Sequence, residues 1–184
     1  MIKKARLDIA IAIVLIALAV CLRLLPHPAN FAPVAAIAIF GGSILPRKLA
    51  LWVPFAAMAV SDIFIGFYNT MPVTWACYIL IALASSYWLR KPNLLKAISL
   101  TLSSSLFFFF VTNFSVWIWS GMYSHNWSGL SQCYTMALPF FRNTAISDPL
   151  YTASLFGLFA LATRLGGKIF VEPDIRGKEL ARTI

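Results

Sequence analysis

Residues able to do acid–base or ligand chemistry are few in this chain: two His and six Asp or Glu among 184 residues. Asp62 stands apart from the others because it interrupts a long apolar run, 49–67. An ionisable group set in such a run is expensive and by default marks a functional site. It requires a partner, and Arg23 and Arg142 are the two cations placed on its side of the six-span arrangement derived below. Around it fall His27, Asn30, Asn69, Asn113, His125, Asn126, Asn143 and Asp148, drawn from connections at 23–31, 61–72 and 113–148. Polar groups converging in apolar surroundings are the default signature of a small-molecule site. The expected lining is therefore His27, Asn30, Asp62, Asn69, Asn113, Trp117, Arg142 and Asn143. The third connection, 120–147, is long, contains Gly121 and Gly129, and would act as a lid. The competing reading is that these groups are solvated loop residues with no ligand.

Several chemistries are missing. No GxxxxGK[ST] occurs, since Gly166-Gly167-Lys168-Ile169 lacks both the earlier glycine and the hydroxyl residue, so ATP hydrolysis by that route is excluded. No HExxH, GxSxG or paired-carboxylate pattern is present, and two histidines cannot build a three-His metal centre. Cys21, Cys77 and Cys133 are odd in number and widely spaced, and they suit packed thiols better than a disulfide framework or a zinc site. The expectation is a protein without catalysis of its own and without a cofactor. The rival is a membrane-embedded enzyme acting on a lipid or isoprenoid, with Asp62, His27 or Asp148 as acid–base groups.

The elements that must position these residues follow from composition. Hydrophobic residues make up 60% of the chain and charged ones 11%, against roughly 45–50% and 25% in a soluble domain. The predicted fold class is an all-α polytopic membrane protein of about six transmembrane helices, in a single domain over 1–165. A short polar tail, 166–184, would lie in the cytoplasm. Apolar segments fall at 9–25, 32–45, 49–67, 72–89, 97–119 and 148–165. The second is short for a full crossing; it would be tilted, broken at Gly41-Gly42, extended through Phe31, or re-entrant. Residues 134–141 are apolar but too few to cross, and are expected to form a surface or re-entrant piece. Lys3, Lys4 and Arg6 ahead of 9–22 resemble a signal peptide, but the several later spans favour a retained first helix.

Charge then sets orientation. Lys3, Lys4, Arg6, Arg47, Lys48, Arg90, Lys91, Lys96, Arg164, Lys168, Arg176, Lys178 and Arg182 all fall on one side, leaving Arg23 and Arg142 on the other. The positive-inside rule makes the first side cytoplasmic, with both termini inside. The net charge of +9 is thus explained by topology in the lipid bilayer, and no nucleic-acid partner is called for.

A resemblance adds to this reading. It rests on the run from Arg23 through Pro26-His27-Pro28-Ala29-Asn30 to Ala36, then Phe40-Gly41-Gly42, and on Ser61-Asp62-Ile63-Phe64-Ile65-Gly66. Thr112-Asn113-Phe114-Ser115-Val116-Trp117, Pro139 to Asn143, and Asp148 to Gly157 complete it. Together these resemble an uncharacterised family of small bacterial membrane proteins. That family is in turn similar to the substrate-binding S components of energy-coupling-factor vitamin transporters. The resemblance implies a binding subunit that captures a vitamin or related micronutrient at the outer face, its ligand held by the first, third and fifth connections. It also implies a transmembrane coupling protein with ATPase subunits as partners. S components often carry Ala-xxx-Ala in the first helix for that docking; here Ala10, Ala12, Ala17 and Ala19 give only i,i+7 pairs, with Ala38-xxx-Gly42 and Ala57-xxx-Ser61 as small-residue alternatives. Solitary cobalamin transporters of the same superfamily imply His27 and Cys77 as cobalt ligands, should the solute be a cobalamin.

Overall fold

A computed structural model describes residues 2–89 and 91–165; the expected tail lies outside the described residues. Six helices follow one another: α1 (Ile2–Leu24), α2 (Val34–Ile44), α3 (Arg47–Ile65), α4 (Met71–Trp88), α5 (Leu94–Trp119) and α6 (Trp127–Leu165). The fold is all-helical among the described residues, and every helix except α2 is long and apolar enough to cross a membrane. Large apolar side chains cover the outside, among them Trp52, Ile63, Phe64, Leu95 and Leu158. Such a surface is tolerable in lipid and not in water.

Local sequence explains the boundaries. Pro33 and Pro46 occupy the N-cap positions of α2 and α3, and Pro72 opens α4, where a missing N–H costs nothing. Asn93 caps α5 through its side chain, which accepts from Lys96 N at 2.9 Å. Gly66 ends α3 with φ 104°, a conformation that favours glycine, and its N–H returns to the carbonyl of Asp62 at 2.9 Å.

The short helix is the centre of the molecule. At 11 residues α2 is about 16 Å long, half a bilayer core, and residues Val34 to Gly42 are all buried. It packs on each of the other five helices. Around it α1, α3, α4, α5 and α6 form an arc in which each packs on the next, and its two ends, α1 and α6, pack on α2 rather than on each other. The helix runs unbroken through Gly41-Gly42. A Cβ at Gly42 would come within 2.6 Å of the Ala82 carbonyl oxygen and the Ser85 Cβ, so the glycine permits α2 and α4 to touch. Ser85 Oγ donates to the Ile39 carbonyl across the same contact, at 2.5 Å. Aromatic pairs join the arc to the centre and to itself: Phe40–Phe156, Phe55–Trp75, Tyr78–Phe108 and Phe109–Phe141.

Two expectations are overturned. Residues 134–141 are not a separate piece but part of a long helix, and 120–147 is not a long connection. Helix α6 runs continuously for 39 residues, with Pro139 and Pro149 inside it, and the connection from α5 is only 120–126. The apolar windows read as separate because polar residues and prolines divide them. Packing against α5 holds the helix together across both, since the lost hydrogen bonds are local and the inter-helix contact is not.

Candidate functional site

The chain alternates direction, so the molecule has two chemically different ends. One carries Lys91 and Lys96 between and beyond α4 and α5, Arg47 and Lys48 at the start of α3, and Arg164 at the close of α6. There Arg47 lies over the Tyr87 ring at 4.1 Å. At the other end α1 and α3 finish and α4 begins, and this is where Asp62 lies.

Asp62 is completely buried, one turn before α3 stops at Gly66. Arg23, in the last turn of α1, places Nη2 2.6 Å from Asp62 Oδ1. Its Nη1 donates to Ser61 Oγ, and Ser61 in turn donates to the Ala57 carbonyl at 2.7 Å. From α4, Trp75 Nε1 donates to Asp62 Oδ2 at 2.7 Å. The pair therefore joins three helices. Oδ2 accepts the indole hydrogen bond, while Oδ1 meets the guanidinium as an ion contact without hydrogen-bond geometry, so the charge in this dry place is balanced by Arg23 and one full hydrogen bond. Arg23 keeps 14% of its side chain exposed, which makes it the reachable member. The loop residue Tyr68 stands close to Arg23 and Thr74; burial, followed by the nearby Asp62 charge, pushes its hydroxyl above the usual tyrosine range, so it remains a neutral donor.

Of the two cations foreseen as partners, Arg23 is the one used; Arg142 is exposed on α6. Other foreseen residues are distributed around the end of the bundle rather than drawn to Asp62. His27 turns Nδ1 toward the Pro28 carbonyl at 2.8 Å and Nε2 toward the Arg23 carbonyl at 3.1 Å. Asn30 is exposed at φ 60°, and its carbonyl accepts from Ser147 Oγ at 3.4 Å. Asn143 Nδ2 donates to the Ala29 carbonyl at 2.9 Å, so Asn143 and Ser147 tie the 25–33 loop to α6. Asn69 is exposed. Asn113 Nδ2 returns to the Phe109 carbonyl of its own helix at 2.8 Å. Trp117 Nε1 donates to the Ser124 carbonyl at 2.9 Å, and its ring meets His125 edge-on. Cys77 is buried in α4. No group of three or more His, Cys, Asp or Glu arranged for a metal occurs among the described residues.

Two shallow grooves, of about 310 and 470 Å³, lie at the basic end, the first between the α4–α5 turn and α6 (Pro92, Leu94, Phe156, Thr163), the second beside α4 and α5 (Trp88, Lys96, Ser103). Both are mainly apolar and open, and neither includes a residue foreseen as ligand-binding.

Sequence reasoning missed Trp75 and Ser61. Ser61 is adjacent to Asp62 and could have been found by asking what the carboxylate's partner also touches. Trp75 had no signal, because an indole in an apolar helix looks like any other apolar residue. Also missed was a buried seam between α5 and α6. There Ser105 Oγ lies 2.8 Å from Asp148 Oδ2, and Thr101 Oγ1 lies 2.9 Å from Thr152 Oγ1.

A family profile matches residues 3–168, nearly all of the apolar part of the chain. The chain belongs to DUF6580, a family of unknown function. No curated protein and no solved structure matches it. Within this DUF6580 protein, the residues that suggested a small membrane protein family are those around Arg23, Asp62, Asn113 and Asp148.

Proposed function

We propose that this DUF6580 protein is a membrane-embedded binding subunit for uptake of a small solute, with the solute held at the end of the bundle that carries Arg23 and Asp62. The carrying observation is the buried Arg23–Asp62 pair, fixed by Ser61 and Trp75 and open only on the Arg23 side. A buried salt bridge is weak grounds for stability, because well-packed apolar side chains would serve as well or better. An intramembrane ion pair is by default a functional feature. A guanidinium has five N–H donors, and the contacts to Ser61 and Asp62 leave others free for a solute that carries an acceptor or a carboxylate.

Orientation belongs to the same proposal. With Arg47, Lys48, Lys91, Lys96 and Arg164 at the opposite end, the positive-inside rule puts the Arg23 end outside and both termini in the cytoplasm of a bacterial inner membrane. A vitamin or related micronutrient as solute, and a coupling protein with ATPase subunits as partners, rest on the sequence resemblance alone.

The test is small-molecule mass spectrometry on protein purified in nanodiscs. Wild type is expected to carry a near-stoichiometric solute that Arg23→Lys loses, with helix content and elution volume retained. Wild type without any retained solute, or an Arg23→Lys variant that keeps it, would refute the reading.

A further inference from the structure

The seam between α5 and α6 contains the second buried carboxylate, and its surroundings differ from those of the first. Asp148 is 3% exposed and lies midway along α6, one residue past the Ser147 that holds the 25–33 loop. Among the described residues the one guanidinium that is not exposed, that of Arg23, is already bound to Asp62, whose charge it balances. Asp148 meets a neutral hydroxyl instead.

Titratable groups on the surrounding elements do not alter this. Helix α2 has none, and α5 has only Lys96, at its basic end. From α4, Tyr78 lies within electrostatic reach, and a tyrosine brings no positive charge. In the loop, His27 directs both nitrogens to backbone carbonyls, and from α1 Arg23 is held by Asp62 and Ser61. On α6 itself Arg142 is exposed, and Tyr151, one turn beyond Asp148, packs against Phe31 and brings no positive charge. An ionised carboxylate in such a place would cost several kcal/mol, roughly the penalty for an uncompensated ion in a protein interior.

Counting hydrogens leads to the same conclusion independently. Ser105 Oγ has two acceptor neighbours, Asp148 Oδ2 at 2.8 Å and the Thr101 carbonyl at 3.0 Å, and only one hydrogen to give. If Asp148 is ionised, one of these two close contacts has no hydrogen in it. If Asp148 carries the proton on Oδ2, each contact has one: Asp148 O–H donates to Ser105 Oγ, and Ser105 O–H donates to the Thr101 carbonyl. One turn along, the pattern repeats in hydroxyls. Thr101 Oγ1 donates to the Ala97 carbonyl at 2.8 Å and is free to accept from Thr152 Oγ1. A metal cation would instead need several oxygens with lone pairs converging on it, while here the Ser105 and Thr101 hydroxyls serve helix carbonyls.

We propose that Asp148 is a proton-binding site inside the membrane, neutral in the resting protein, with its carboxyl proton joining α6 to α5 through Ser105. Losing that proton removes the hydrogen from the seam and leaves a buried charge in its place. Deprotonation and parting of α5 from α6 are therefore linked. This stands whether or not a solute binds at Arg23.

Infrared difference spectroscopy of the protein in nanodiscs, in sodium-free buffer, tests it. At neutral pH wild type is expected to show a protonated-carboxyl C=O band that shifts in D2O. The band should persist in Asp62→Asn and vanish in Asp148→Asn. In Ser105→Ala it should remain but move to higher frequency, because the carboxyl loses its hydrogen-bond partner. The melting temperature of wild type should fall as pH rises through the loss of the band, while that of Asp148→Asn stays flat over the same range. Three results overturn the proposal: no band in wild type at neutral pH, a band unmoved by Ser105→Ala, or a band abolished by adding sodium at constant pH. Should Asp148→Asn fail to fold, the Ser105→Ala shift and the sodium titration decide the question without it.

Discussion

Asp62 and Asp148 meet different partners within one bundle. Asp62 has a guanidinium and an indole N–H beside it; Asp148 has one serine, and on the proposal above it keeps its proton. For the first pair, removing one partner strands the other in a dry interior. Arg23→Gln and Asp62→Asn should each lower unfolding stability by about 3–5 kcal/mol, and the double variant by clearly less than their sum. Denaturant melts in detergent measure the coupling; strictly additive losses would mean the two groups do not interact. Trp75→Phe keeps the ring contact with Phe55 and removes only the donor to Asp62. A loss of about 1.5–3 kcal/mol is expected there, the value of a hydrogen bond to a charged acceptor. At this scale the sequence was informative about Asp62, since a lone acid in an apolar run must find a cation and only two were at hand. For the seam a signal existed: Thr101 and Ser105 are four apart on α5, and Asp148 and Thr152 are four apart on α6. Two polar i,i+4 pairs on helices joined by a short turn are placed to meet across the contact.

Helices α2 and α6 are the elements that set this protein apart, one by its shortness and the other by its length. Helix α2 tolerates no bulk where it crosses α4. Gly42→Ala should cost about 1–3 kcal/mol through overpacking, because the obstructing atoms are the Ala82 backbone and the Ser85 side chain. Gly41→Ala is the control: its added methyl would meet Leu15 and Leu45 at an ordinary 3.7 Å, so stability should hold or rise with the better helix former. Equal losses at both positions would refute the close-contact account. For α6, hydrogen exchange should find 130–147 protected as strongly as the rest of the helix, interrupted only near Pro139. Rapid exchange throughout that stretch would restore the mobile lid that the sequence suggested. The sequence could not anticipate the continuous helix because proline propensity is a local penalty, whereas the compensating contact with α5 is tertiary.

The whole molecule is an arc of five long helices around one short one, with basic residues at one end and the Arg23–Asp62 pair at the other. A reporter inserted at Lys91 should read as cytoplasmic and one at Ser124 as external; the reverse pattern, or the same side for both, would overturn the orientation. Sequence by itself determined the class of the protein, the bounds of α2, α3, α4 and α5 to within a few residues, and the separation of basic residues from the loop polar groups. These are sums over segments, and a segment's hydropathy or charge is legible without knowing its neighbours. Only the tertiary structure decided that α2 is the core, that α6 is one helix, that Arg23 rather than Arg142 pairs with Asp62, and that Asp148 lies in a hydroxyl seam. The physical reason is the solvent. In water, a polar face marks which side of a helix looks outward, but lipid accepts the same side chains that a protein core does. An apolar helix that faces lipid and one buried on all sides therefore read alike, and which polar groups meet is settled by packing alone.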